Sequence, residues 1–215
     1  MHKLKTISNL KLLILLIVST CFIQFIITDF IITEEIFYSS YGEMLTLEQI
    51  ESMIEWRKEH WWFSLVITAI VTIVKVSFVA ITLIIGGLIL ESNISLKLIF
   101  KFVILSSFIF VLPNIYLILK YMTFQDLSTI QELHNLKPWE LEYFINDSIE
   151  IYTWFKYPLS LINLFEFLFI AMLIFFFDKM LFNEVQKGVK VVLIGYGGGL
   201  FSWVVFITFI SLQIF

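Results

Sequence analysis

Apolar residues in this chain come in long blocks separated by short polar ones. Residues 12–32, 62–90, 98–119, 152–177 and 191–215 are rich in Leu, Ile, Val and Phe and carry few charges. Roughly 20 such residues, at about 1.5 Å each, cross the hydrocarbon core of a bilayer as a helix. The pattern predicts an all-α fold: a polytopic transmembrane bundle of five spans, forming a single integral membrane domain over residues 1–215. The segments between the blocks at 33–61 and 120–151 are polar and acidic. In the first, Thr46-Leu47-Glu48-Gln49 has the spacing of a capping box and opens a helix. In the second, Lys137-Pro138-Trp139-Glu140 places Pro at a helix start. Each outer loop is therefore expected to carry a short amphipathic helix. Trp56, Trp61 and Trp62 lie where an aromatic belt would meet the membrane surface, and Pro113-Asn114 predicts a kink in the third span.

The basic residues set the orientation. With the N-terminus inside, Lys3, Lys5, Lys11, Lys97, Lys101, Lys179, Lys187 and Lys190 fall in short inner segments. Arg57, Lys58, Lys120, Lys137 and Lys156 are spread over longer outer ones. Positive density therefore favours N-in, C-out. The first block is too long for a signal-peptide core and lacks a small-x-small cleavage site. Val18-Ser19-Thr20-Cys21 is a loose lipobox with Thr in a poor position. The block is read as an uncleaved span. The alternative is a four-span layout with a cleaved or peripheral first block.

Polar residues inside the blocks carry the functional interest. Lys75 falls near the middle of the second span and Glu166 at similar depth in the fourth. A mutual ion pair would remove most of the penalty each charge carries in lipid. Ser64, Thr68, Thr72 and Lys75 share one helix face, as do Thr20, Gln24 and Thr28, and Asn163 and Glu166. Asn114 adds a polar group in the third span. These stripes are expected to face one another as a polar interior. Two plainer readings compete: Ser and Thr bond their own helix backbone, and a Lys–Glu pair fixes helix register. Gly195 and Gly199 form a small-xxx-small pair that lets helices approach closely, with dimerisation as the functional alternative.

Composition narrows the classes. The 215 residues are 60% hydrophobic and 18% aromatic, with 24 Phe, above the 45–50% apolar of soluble domains. A net charge of −4 offers no basic surface for nucleic acid, and the lone Cys21 excludes an internal disulfide and a Cys-based metal cluster. Richness in Ile, Phe, Lys and Asn points to an AT-rich bacterial genome. His60 and His134 lie near acids but without ligand-like spacing, so no metal, cofactor or catalytic residue is assigned. Nucleotide-loop, His-Glu-x-x-His and intramembrane-protease motifs are absent.

The five-block layout, Pro113-Asn114 and the stretch Gly195 to Gly199 resemble Yip1-like membrane proteins over Leu98 to the end. The resemblance implies a non-enzymatic membrane scaffold or trafficking-type factor. The sequence thus leads to a non-enzymatic accessory or scaffold subunit of a larger bacterial inner-membrane assembly of the kind that exports or secretes polypeptides. Its partners would be the lipid bilayer and other membrane subunits, docked on Glu48, Glu51 and Glu55. The alternative is a small transporter or channel subunit using Lys75 and Glu166.

Overall fold

A computed structural model describes residues 8–91, 94–123, 129–130, 132, 158–179 and 185–214. Among the described residues the chain is helical, with no β-strand. α1 spans Asn9–Ile26 and continues as a π-helical turn over Ile27–Ile31. α2 (Glu34–Tyr41) and α3 (Leu47–Glu59) follow, then the long α4 (Trp61–Ile89). α5 (Leu96–Ser107) passes through a 3₁₀ turn at Phe108–Val111 into α6 (Leu112–Thr123). α7 is Leu164–Phe177, and α8 (Val185–Val192) leads through a π-helical turn at Leu193–Gly197 into α9 (Gly198–Ile214).

Four stretches are long and apolar enough to cross a membrane: Asn9–Ile31, Trp61–Ile89, Leu96–Thr123 and Gln186–Gln213. Their outer faces are apolar as well, with Phe22, Val74, Leu88, Phe201 and Phe209 all exposed. A helix that is apolar all round belongs in lipid or in a large core. The chain is therefore read as a membrane protein.

The fourth apolar block differs from the uninterrupted span expected over 152–177. A helical turn at 158–161 ends in a bend at Ile162, and Asn163 takes an extended conformation with φ −139° and ψ 159°. α7 starts only at Leu164. Its 14 residues cover about 21 Å, short of the roughly 30 Å of a hydrocarbon core. The Asn163 side chain caps the new helix by accepting from the Glu166 N–H at 2.8 Å. This is the reason for the break, since Asn competes with the helix and wins at an N-cap. Residues 151–157, most of 120–151, His134 and the Lys137–Glu140 helix start lie outside the described residues.

The kink expected at Pro113 takes the form of the 3₁₀ turn just before it. Proline has no N–H to give Ile109, one turn back, so the regular ladder stops there. The Thr46–Gln49 capping box closes in both directions.

The contacts divide the chain into two compact units: Met1–Ile14, Val74–Phe110 and Pro138–Phe215 in the first, and Leu15–Ile73 and Val111–Lys137 in the second. In the first, α7 packs on α5 and α8. Phe102 stacks on Phe176 at 5.3 Å and meets Phe177 edge-on at 5.8 Å. Val79, Ala80 and Leu83 of α4 are buried there too. In the second unit, Ile31 and Leu117 anchor a small cluster with Ile27, Ile32, Ile118 and Tyr121. Cys21 donates to the Leu65 carbonyl at 3.5 Å, and Phe25 meets Trp61 edge-on at 6.1 Å. α3 buries Ile50 and Ile54 and keeps Glu48, Glu51 and Glu55 exposed, so its acids and its packing face are separated.

Candidate intramembrane polar site

Lys75 and Glu166 belong to the same unit, but they do not form the direct pair expected of them. The Lys75 ammonium lies over the ring of Phe110, 3.3 Å from its centre. The carboxylate of Glu166 is within electrostatic reach of Lys75 yet not in ion-pair contact with it. Among the described residues, that contact is made by Lys58 and Glu34. Lys75 is exposed by surface area while protein atoms crowd its ammonium. Lys75 is therefore not sealed in the core.

Glu166 is buried, at 6% exposure, in the first turn of α7. Two local features serve its carboxyl group. The helix N-terminus presents unsatisfied N–H groups and the positive end of the dipole. The Tyr196 hydroxyl, from the π-helical turn at Leu193–Gly197, donates to Glu166 Oε1. Tyr196 is itself buried at 3% exposure and meets Phe169 edge-on at 5.2 Å, and Phe169 packs on Phe110 at 5.0 Å. A continuous aromatic path, Phe110–Phe169–Tyr196, thus separates the amine from the acid.

Three of the four contributors sit where a helix departs from regular geometry, while Lys75 lies within the regular α4. Phe110 is in the 3₁₀ turn, Tyr196 in a π-helical turn, and Glu166 just after the break at Asn163. Such departures expose backbone groups, and in membranes they persist only against protein or a polar cavity.

The other predicted polar residues are engaged locally. Ser64 donates to Trp61 O, Thr68 to Ser64 O and Thr72 to Thr68 O. Thr20 donates to Leu16 O and Ile17 O, and Thr28 to Gln24 O, while the Gln24 amide donates to Thr28 Oγ1. These stripes bond their own helices and do not hydrogen-bond one another. Asn114 is exposed in the second unit. Asn163 serves as the α7 cap and also donates to Ser160 O at 2.9 Å.

Gly195 and Gly199 bring two helices into backbone contact. A Cβ on Gly195 would lie 2.7 Å from the Thr82 carbonyl oxygen, and one on Gly86 would lie 2.6 Å from Gly195 Cα. A Cβ on Gly199 would collide with the Thr82 side chain. Thr82 and Gly86 are themselves four apart, a small-xxx-small signal on α4 that answers the one at Gly195 and Gly199. Sequence reasoning passed over Tyr196, Phe110 and Gly86, though the last was visible in that spacing.

Among the described residues no three His, Cys, Asp or Glu side chains gather as metal ligands. His60 stacks on Trp56 at 4.9 Å. No family model matches the chain, and no curated protein and no solved structure is similar to it. The Yip1-like resemblance therefore stays one of hydropathy layout.

Proposed function

We propose that this chain is a small transporter or channel subunit whose working centre is Lys75, Phe110, Glu166 and Tyr196. One observation carries the reading: the Lys75 ammonium rests on Phe110 and not on the Glu166 carboxylate. A lysine kept only to fix helix register would meet its acid directly, because that contact offsets the cost of both charges. Here the acid is held by Tyr196 and a helix N-terminus, which leaves the amine without a direct carboxylate contact and open to a passing anion or proton. In this reading the chain crosses a bacterial cytoplasmic membrane five times, N-in and C-out. Reconstitution alone in liposomes tests it. Flux of protons or a small anion under an imposed gradient, lost in Lys75→Met, supports it; no flux under any such gradient overturns it.

A second reading is supported by α3, where Glu48, Glu51 and Glu55 are exposed opposite buried Ile50 and Ile54. This face suits docking of a membrane partner by a non-enzymatic accessory subunit, in an assembly that exports or secretes polypeptides. Charge reversal of the three acids should release co-purifying subunits in mild detergent. A complex that survives the reversal removes this reading.

A further inference from the structure

The second unit contains an amphipathic crevice that neither reading uses. Its volume is about 410 Å³, and Phe25, Thr28, Asp29, Arg57, Lys58 and Trp61 line it. Small-molecule sites begin at roughly 300 Å³. The crevice lies beside the end of the apolar stretch Asn9–Ile31 and the start of Trp61–Ile89, the level at which span ends meet lipid head groups.

Its lining carries both signs of charge, Arg57 and Lys58 with Asp29. Lys58 is taken by Glu34. Arg57 is tethered without being neutralised: one Nη1 hydrogen bond, 2.7 Å long, goes to the Ile32 carbonyl, and its guanidinium lies 4.8 Å from the centre of the Phe37 ring. The rest of its donor fork remains for an anion, and a planar fork suits phosphate. Partial burial pushes the guanidinium down from its usual range, while Asp29 and Glu34 oppose that shift. Asp29 faces Arg57 electrostatically, is exposed, and accepts no hydrogen bond from a described residue. A cation and an anion that line the same crevice beside Phe25 and Trp61 match a zwitterion with a phosphate at one end and an ammonium at the other.

We infer that this crevice binds the head group of an amine-bearing phospholipid, with its phosphodiester on Arg57 and its ammonium on Asp29. Phe25 and Trp61 flank the point where the acyl chains leave. The inference rests on the membrane reading but not on transport, and a binding assay separates the two. The full chain in detergent would be titrated, by native mass spectrometry, with short-chain phosphatidylethanolamine, short-chain phosphatidylglycerol and inorganic phosphate. The ethanolamine lipid should bind tightest. Arg57→Gln should weaken it about tenfold, the size of one charge-assisted contact. Asp29→Asn, at an exposed side chain that bonds nothing described, should reduce it to the affinity of the glycerol lipid and leave that lipid unchanged. Equal binding of both lipids to the unmodified chain would overturn the assignment. So would inorganic phosphate competing as well as lipid, or an Asp29→Asn protein that keeps its preference.

Discussion

The ammonium of Lys75 sits 3.3 Å from the centre of the Phe110 ring, a side chain of the 3₁₀ turn. An aromatic face attracts a cation by its quadrupole, with about 0.5–2 kcal/mol at stake. That is weaker than an ion pair in a dry interior, so Lys75 is only partly compensated. Lys75→Met should therefore cost less than about 1 kcal/mol or even stabilise the protein in thermal unfolding. Removing one member of a true buried pair costs about 3–5 kcal/mol, and a loss of that size would restore the direct pair.

The Tyr196 hydroxyl is the donor that keeps Glu166 satisfied. Tyr196→Phe preserves the ring contact with Phe169 but strands a buried carboxylate oxygen. It should cost about 1–3 kcal/mol, the penalty of an unsatisfied buried group. In a double-mutant cycle with Glu166→Gln the two changes should couple strongly. Additive losses would mean that the hydroxyl does not serve this acid.

Glycine positions at and beyond the contact of α4 with the Leu193–Gly197 turn should separate into two classes. Gly195→Val and Gly86→Val force a side chain into backbone, with 2.6–2.7 Å to the nearest atoms already at Cβ. Losses of about 1–3 kcal/mol or more are expected from such overpacking. A Cβ at Gly198 meets nothing within 4 Å, so Gly198→Ala should be neutral or gain up to about 1 kcal/mol in helix propensity. Thermal melts of the variants in one detergent check the contrast.

Acid should act on the link between α2 and α3. The Lys58 hydrogen bond, then the Lys58 and Arg57 charges, hold the Glu34 carboxyl below its usual range. Since the folded value is the lower one, the stabilisation is present above the unfolded carboxylate value, about 4.3, and fades as pH falls through the folded one. Glu34 is exposed to solvent, so the effect is small. Melting curves of the unmodified chain and Lys58→Gln should differ at neutral pH and converge in acid. A constant offset would exclude the pair as its source.

The long helices were legible because length and apolarity alone specify them. Lys75 and Glu166 were legible because charge inside an apolar block is rare. The break at Asn163 was also written in the sequence: Asn163-x-x-Glu166 has the spacing of an N-terminal cap, the same signal that located α3 at Thr46-x-x-Gln49. Placed inside an apolar block, it looked instead like two polar groups on one helix face. The Arg57 crevice had no local signal, since Phe25 and Asp29 on one segment and Arg57 and Trp61 on another meet only through tertiary packing. The Ser and Thr stripes were misleading for a physical reason. Hydroxyls in a helix have a carbonyl one turn back at hand, and in Ser64, Thr68 and Thr72 that near partner is the one used.

The contact of Gly86 with Gly195 has one more effect. Backbone meets backbone there, with no side chain between them to change rotamer and take up a displacement. The joint is therefore stiff: with Thr82 seated against Gly195 and Gly199 as well, the two helices cannot slide without breaking it. Tyr196 is the next residue along and Lys75 is three turns back on the opposing helix. That stiffness fixes the height of the Tyr196 hydroxyl, and of the acid it holds, against the helix that carries the amine.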